Sequence, residues 1–284
     1  MSNMVVRTNV FSLNAHRNMK NVGLEQGRAS SRLASGYRIN TAADDAAGLA
    51  ISETMRAQIR GLDQASRNAQ DAQALVQTTE GGLQEITNML QRVRELTVQA
   101  SNDTNVTVNL QQISYEVSQL ATEINSMAGR VEFNTRVVLS MGDTLRFQIG
   151  ANQMQEASHD FSTIAEAIVA AEEAVAAVAG VLTTDVGVSN LEAISPEIEV
   201  IQGHLDAISG QRAQLGALVN RLDYTMRSLD ISSENLSDSE SRVRNADMAR
   251  EMMRFTMSNV LQQASVSMLS QANQVPNNLL QLLR

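Results

Sequence analysis

The sequence predicts a mainly α protein, a long antiparallel coiled-coil-like helical bundle carrying one small β-hairpin. Three observations predict it. In the C-terminal half, Ile201, Ile208, Leu215, Leu222, Leu229, Leu236 and Val243 recur every seventh residue and all are aliphatic, the seam spacing of helices that pack lengthwise. In the N-terminal half, Met55, Leu62, Ala69, Val76, Leu83 and Leu90 form a second heptad row, with Ala65, Ala72, Ile86, Val93 and Ala100 three residues beyond row positions. The chain has 5 Phe, 3 Tyr, no Trp and 2 Pro, a composition that favours helices but cannot fill a bulky globular core.

The elements follow in order. Residues 1–40 read as an amphipathic N-terminal helix, with Val6, Val10 and Leu13 on one stripe and Gly36 placed to end it in a left-handed cap. Thr41 is placed to cap the next helix, roughly 44 to 100, whose first turn would hold Asp44 and Asp45 against the helix dipole. Gly81 and Gly82 interrupt that helix at about 1 kcal/mol each relative to Ala, so it packs closely there or bends. Leu110, Ile113, Val117, Leu120, Ile124 and Met127 mark a third helix over about 106–128.

In "VVLSMGDTLRFQIG", Leu145, Phe147 and Ile149 alternate with Arg146 and Gln148, and Met141-Gly142-Asp143 is the expected turn of a β-hairpin. Ile164 to Leu182 reads as a short helix, and Pro196 as the start of the long C-terminal helix. Leu205, Val219 and Met226 accompany the heptad row, but Arg212, Ser233 and Glu240 interrupt it, which favours a small bundle over an isolated two-stranded coil. The expected segments are 1–40, 41–150, a short acidic insert 151–196, 197–245, and a terminal helix 246–284. Two distant halves with one heptad habit pack most simply on each other, leaving both chain ends together.

The tail sets the sharpest constraint. No charged residue lies between Phe255 and Leu283, yet 14 of those 29 residues are Ser, Thr, Asn or Gln, so it is no membrane span. Met257, Leu261, Ala264, Met268, Ala272, Val275, Leu279 and Leu282 nevertheless recur at helical spacing. Burying that stripe cannot by itself offset the entropy of ordering the segment, so the tail is expected to be helical only when packed against something else.

Composition removes several classes of function. There is no Cys, which excludes disulfides, thiolate metal sites and cysteine catalysis. The N-terminus lacks the apolar core of a secretory signal peptide, so export, if it occurs, uses another route. The net charge of −9 and the absence of a clustered basic and aromatic face argue against nucleic acid. His16, His159 and His204 are scattered, and no phosphate loop or nucleophile elbow appears, so no enzyme, cofactor or metal site is expected. Asp44 with Asp45 could suggest a metal or acid–base site and His204 with Glu199 and Asp206 a metal site, but helix capping accounts for the first and a lone His on a helix is usually structural.

Several stretches resemble one family, bacterial flagellin. "LASGYRINTAADDAAGLAISETMRAQIRGLDQASRNAQDA" (33–72) and "QRVRELTVQASNDTN" (91–105) are similar to its N-terminal signature. "SGQRAQLGALVNRLDYT", "SENLSDSESRVRNADMAREM" and the uncharged tail resemble its C-terminal signature. The departures are Ala34, Thr135, Asn245 and the Gly81-Gly82 pair. The resemblance fades between about 155 and 195, which implies a short form without a separate outer domain.

The resemblance implies a structural subunit polymerising into the flagellar filament for motility. Its chain ends would form the inner tube through Val6, Val10, Leu13, Met257, Leu261, Ala264, Met268, Ala272, Val275, Leu279 and Leu282. The rod domain would be built on Met55, Leu62, Val76, Leu83, Leu90 and the row from Ile201 to Val243, with switch contacts on the hairpin and helix 201–243. Termini would fold on assembly after type III export. The implied partners are further copies of the chain, an export chaperone, a cap protein, hook-filament junction proteins, and the host's innate flagellin receptor, met by Arg92, Leu96 and Glu116. The implied location is the extracellular flagellum, or a periplasmic one in a spirochaete. The alternatives are a hook-filament junction protein and, from another class, a type III secreted membrane-active translocator.

Overall fold

The structure, a computed structural model, describes residues 8–183 and 190–282, with side chains described for 8–183 and 192–274. Six helices and four short strands follow in order: α1 (Val10–Ser35), α2 (Ala46–Ala100), α3 (Thr107–Arg130), β1 (Glu132–Phe133), β2 (Arg136–Val137), β3 (Thr144–Gln148), β4 (Glu156–Asp160), α4 (Ser162–Thr183), α5 (Asn190–Arg244) and α6 (Met248–Leu282). The chain divides into two compact units. The first is Met1–Ala57 with Asn235–Arg284, the second Gln58–Glu234.

The second unit holds the apolar core. Ala69, Val76, Leu83 and Leu90 of one heptad row, and Ile201, Ile208, Leu215 and Leu222 of the other, are fully buried. Leu62 is half-buried and Leu229 is buried. The residues that break the C-terminal row are explained by what they reach: Arg212 donates to Glu80 Oε1 at 2.8 and 3.2 Å and also to Gln84, and Ser233 donates to Asp63 at 2.8 Å. Ser66 donates to Asp230 at 3.3 Å. Along α2 these partners rise as those on α5 fall, so the helices run antiparallel and the polar pairs fix the stagger that aliphatic side chains alone leave loose. α3 packs on α4, with Ser114 Oγ donating to Ala179 O at 2.9 Å.

Gly82 explains why a glycine pair is tolerated inside the unbroken α2. A Cβ there would lie 2.8 Å from Leu139 Cδ1 and 3.2 Å from Val131 Cγ2, while Gly81 faces open space. Close packing, and not a break in the helix, is what Gly82 serves.

The β region corrects the expected hairpin. β3 pairs with β4, Leu145 opposite His159 and Phe147 opposite Ala157, so its turn lies at 149–155 and not at Met141-Gly142-Asp143. Residues 136–137 instead pair back onto 132–133 through Asn134 and Thr135, both at positive φ (49° and 65°), the geometry of the tight turns that favour Asn and Gly. The alternation of Leu145, Phe147 and Ile149 did mark a strand; the partner was missed because "EASHD" carries little apolar signal beyond Ala157. The segment read as an acidic insert thus holds β4 and α4, whose Ile164, Ile168, Ala171, Val175 and Val178 are core residues.

α5 starts at Asn190 and not at 197, so Pro196 lies inside it. As the seventh residue of the helix it lies past the first turn, so it removes the hydrogen bond an N–H there would make to the carbonyl four residues back.

In the first unit, Gly36 ends α1 at φ 74°, its N–H donating to Arg32 O. α2 is capped by Asp45, whose Oδ1 accepts from Gly48 N–H at 2.9 Å; Thr41, the expected cap, lies in the preceding turn. There Asp44 Oδ2 accepts from Thr41 N–H and hydroxyl, and the Thr41 backbone bond foremost holds the Asp44 carboxyl below its usual range. Arg38 N–H donates to Arg244 O at 2.7 Å and Ala246 N–H to Gly36 O at 2.9 Å, joining the α1–α2 connection to the α5–α6 connection. The guanidiniums of Arg56 (5.3 Å) and Arg244 (4.9 Å) each lie over the Tyr37 ring, and Arg56 Nε donates to Glu240, the third row-breaking residue, at 2.9 Å. Met55, Leu236 and Val243 are half-buried in this unit.

Candidate assembly surface of the terminal helices

α1 and α6 pair antiparallel within the chain, so the tail does have a partner of its own. The contact stripe differs from the one that periodicity predicts. On α1 the covered positions are Ser12, Ala15, Met19, Val22, Gln26, Ala29 and Leu33; on α6 they are Glu251, Phe255, Ser258, Gln262, Ser265, Leu269 and Ala272. Both series alternate steps of three and four, a heptad seam made largely of small and polar side chains.

Polar bonds set its register. Asn9 Nδ2 donates to Ala272 O at 2.8 Å, Ser12 Oγ to Asn273 Oδ1 at 2.9 Å and Gln26 Nε2 to Asn259 Oδ1 at 2.6 Å, while Arg32 stands 3.6 Å from Glu251. Glu251 Oε2 and Gln262 Oε1 are nonetheless buried without a hydrogen-bond donor. A seam with little apolar area and two orphaned oxygens is weakly stabilised, since each unmade bond costs about 1–3 kcal/mol.

Beyond Met19, Val22, Leu33, Phe255 and Leu269, the described large apolar side chains of the two helices stand outside this seam. Among the described residues, Ala29 and Ile39 are the buried apolar residues of the first unit. On its surface stand Val10, Phe11, Leu13 and Leu24 of α1 and, on α6, Met248, Met252, Met253, Met257, Val260, Leu261, Val266 and Met268, from 40% to 71% exposed. Met252–Met253 and Val260–Leu261 are adjacent in sequence, so the helix turns them about 100° apart and more than one face is apolar. Phe11, Ala15, Met268, Gln271 and Ala272 line an open groove of about 370 Å³. No helix among the described residues is long and apolar enough to cross a membrane.

Of the predicted stripe, Val10, Leu13, Met257, Leu261, Ala264 and Met268 are exposed, and Ala272 sits in the seam. Val6 and the side chains of Val275, Leu279 and Leu282 lie outside the described residues. Phe11, Leu24, Met252, Met253, Val260 and Val266 were missed because a one-stripe reading discards apolar residues on other faces.

The sequence comparisons bear on what covers such a surface. The model of the bacterial flagellin N-terminal helical region matches residues 6–144, and that of the C-terminal helical region matches 198–283. This chain belongs to the bacterial flagellin family. A flagellin of Halalkalibacterium halodurans is 47% identical, covering 99% of this chain and all of that one. A Bacillus subtilis flagellin is 43% identical and a Treponema pallidum flagellin 37% identical, each at the same coverage. As a flagellin, the chain is a structural subunit of a flagellar filament and not an enzyme.

In this flagellin the three residues expected to meet a receptor are not alike. Arg92 donates to Glu116 Oε1 through Nε at 3.0 Å and Nη2 at 2.9 Å, and to Glu95 at 3.2 Å. Those carboxylates, Glu116 first, raise the pKa of the exposed guanidinium. Leu96, by contrast, is 2% exposed and belongs to the core, so it has no surface to offer.

Proposed function

We propose that the paired terminal helices of this flagellin are the inner assembly surface of its filament, and that sister copies of the chain cover the apolar faces left open by the α1–α6 seam. The carrying observation is the distribution of the first unit: most covered positions inside the pair are small or polar, while twelve Met, Leu, Val and Phe side chains of α1 and α6 stand exposed outside it. A contact that uses different faces of one subunit yields an open helical polymer where its rotation does not close into a ring. Because the seam is weak, the pair gains most of its order from neighbours, which couples folding to assembly.

Export unfolded through a type III channel, a chaperone that shields the α6 surface, a cap protein at the growing tip and junction proteins at the base all fit a subunit whose termini are open until assembly. The second unit, which holds most of the two heptad rows, is the rod domain of the subunit. The filament is placed outside the cell, or in the periplasm for a spirochaete.

Seeded elongation tests the reading. Met257→Glu and Met268→Glu each place a charge on the proposed surface and touch no core residue. Both are expected to abolish elongation on filament seeds, scored by sedimentation and electron microscopy, while the thermal unfolding of the second unit stays unchanged. Normal elongation of both variants overturns it.

A second reading has one observation in its favour: Arg92 and Glu116 form an exposed ion pair. On monomer they serve as the receptor contact, with Leu96 only supporting α2 from within. Arg92→Ala is expected to reduce receptor signalling by purified monomer; unchanged signalling removes the role.

A further inference from the structure

We infer that Met252, Met253, Met257 and Met268 make the assembly surface a reversible site of peroxide modification on the free subunit; this rests on the assembly reading above. Six methionines among the described residues are largely exposed, and five of them, Met248 included, lie on α6; the sixth is Met154 of the β3–β4 loop. Met252, Met253, Met257 and Met268 are 53%, 66%, 63% and 65% exposed, and Met268 also lines the apolar groove beside Phe11. Met141, by contrast, is buried, and Met19, Met55, Met89, Met127 and Met226 are half-buried.

The chemistry needs only accessible sulfur and a peroxide. The thioether sulfur donates a lone pair to one peroxide oxygen, an S–O bond forms, the O–O bond breaks, and the other oxygen leaves with the transferred proton as water. Sulfur is oxidised by two electrons and the peroxide reduced by two. The product sulfoxide is polar and chiral, and it replaces a flexible apolar side chain where the neighbouring subunit must pack.

Among the described residues, these four side chains are more than half exposed in the single subunit. In a filament, sister chains cover them, so oxidation acts on subunits before incorporation. A reductase specific for methionine sulfoxide reverses the modification.

The test uses the full purified chain and hydrogen peroxide, with sulfoxide located by peptide mass spectrometry and function read as seeded elongation. Oxidised wild type is expected to lose elongation and to regain it after treatment with methionine sulfoxide reductases. In a variant with Met252, Met253, Met257 and Met268 all replaced by Leu, peroxide is expected to cause no loss relative to the same variant untreated, whereas Met154→Leu is expected to lose elongation on oxidation as wild type does. Undiminished elongation of wild type carrying sulfoxide at the four positions overturns the inference, as does equal loss in the treated Leu variant. Should that variant fail to elongate untreated, reversal by reductase on wild type decides alone: no recovery overturns the inference. Untreated wild type that ignores seeds would overturn the assembly reading itself.

Discussion

Gly81 and Gly82 are neighbours with the same intrinsic helix penalty, and the structure separates them. Gly81→Ala adds a methyl group to open space and is expected to stabilise the second unit by about 1 kcal/mol through helix propensity. Gly82→Ala drives a methyl group against Leu139 and Val131 in the core and is expected to destabilise it by roughly 1–2 kcal/mol. Urea unfolding followed by circular dichroism distinguishes them, and equal effects would refute the packing explanation. The sequence showed that the pair needed compensation. It held no means of telling which glycine received it, because Leu139 is more than fifty residues away.

At the scale of elements, Arg212, Ser233 and Glu240 look like defects in a heptad row until their partners are seen. Each bonds to α2, at Glu80, Asp63 and Arg56 respectively. The Arg212 pair is partly exposed, so its Coulombic value is small and its hydrogen bonds dominate. Arg212→Ser is expected to cost about 1–2 kcal/mol in urea unfolding of the second unit. Arg212→Leu, which completes the Leu205–Val219–Met226 row, is expected to remain within about 1 kcal/mol of wild type while loosening the stagger of α2 against α5. A cost for Leu equal to that for Ser would show that the bond itself, and not coverage of the seam, supports the pair. The existence of the helices was legible, since heptad and helical periodicity survive averaging over many turns, but α5 begins seven residues before the expected 197. The hairpins were not, as two-residue strands and a polar β4 carry too few alternating positions to reveal their partners.

For the whole molecule, the two units differ in what stabilises them. The second has a contiguous apolar core; the first has a polar seam and an apolar exterior. Hydrogen exchange on the monomer is therefore expected to protect the α2–α5 amides of the second unit strongly and those of α1 and α6 weakly, with α1 and α6 becoming protected on assembly. Strong protection of α1 and α6 in dilute monomer would show that the seam suffices alone and would remove the coupling of folding to polymerisation.

The sequence by itself determined the helical class, the two heptad rows, the presence of the long helices and the existence of an apolar, uncharged tail in need of company, and its motifs pointed to the family. These are properties of spacing along one chain, and a helix reports them directly. Only the tertiary structure decided which side of α6 meets α1, that Leu96 is interior while Arg92 is not, that β3 turns toward 156–160, and what the polar interruptions hold. Each depends on residues distant in sequence competing for the same contact, and that competition is settled by packing and hydrogen-bond satisfaction in three dimensions, which periodicity along the chain does not encode.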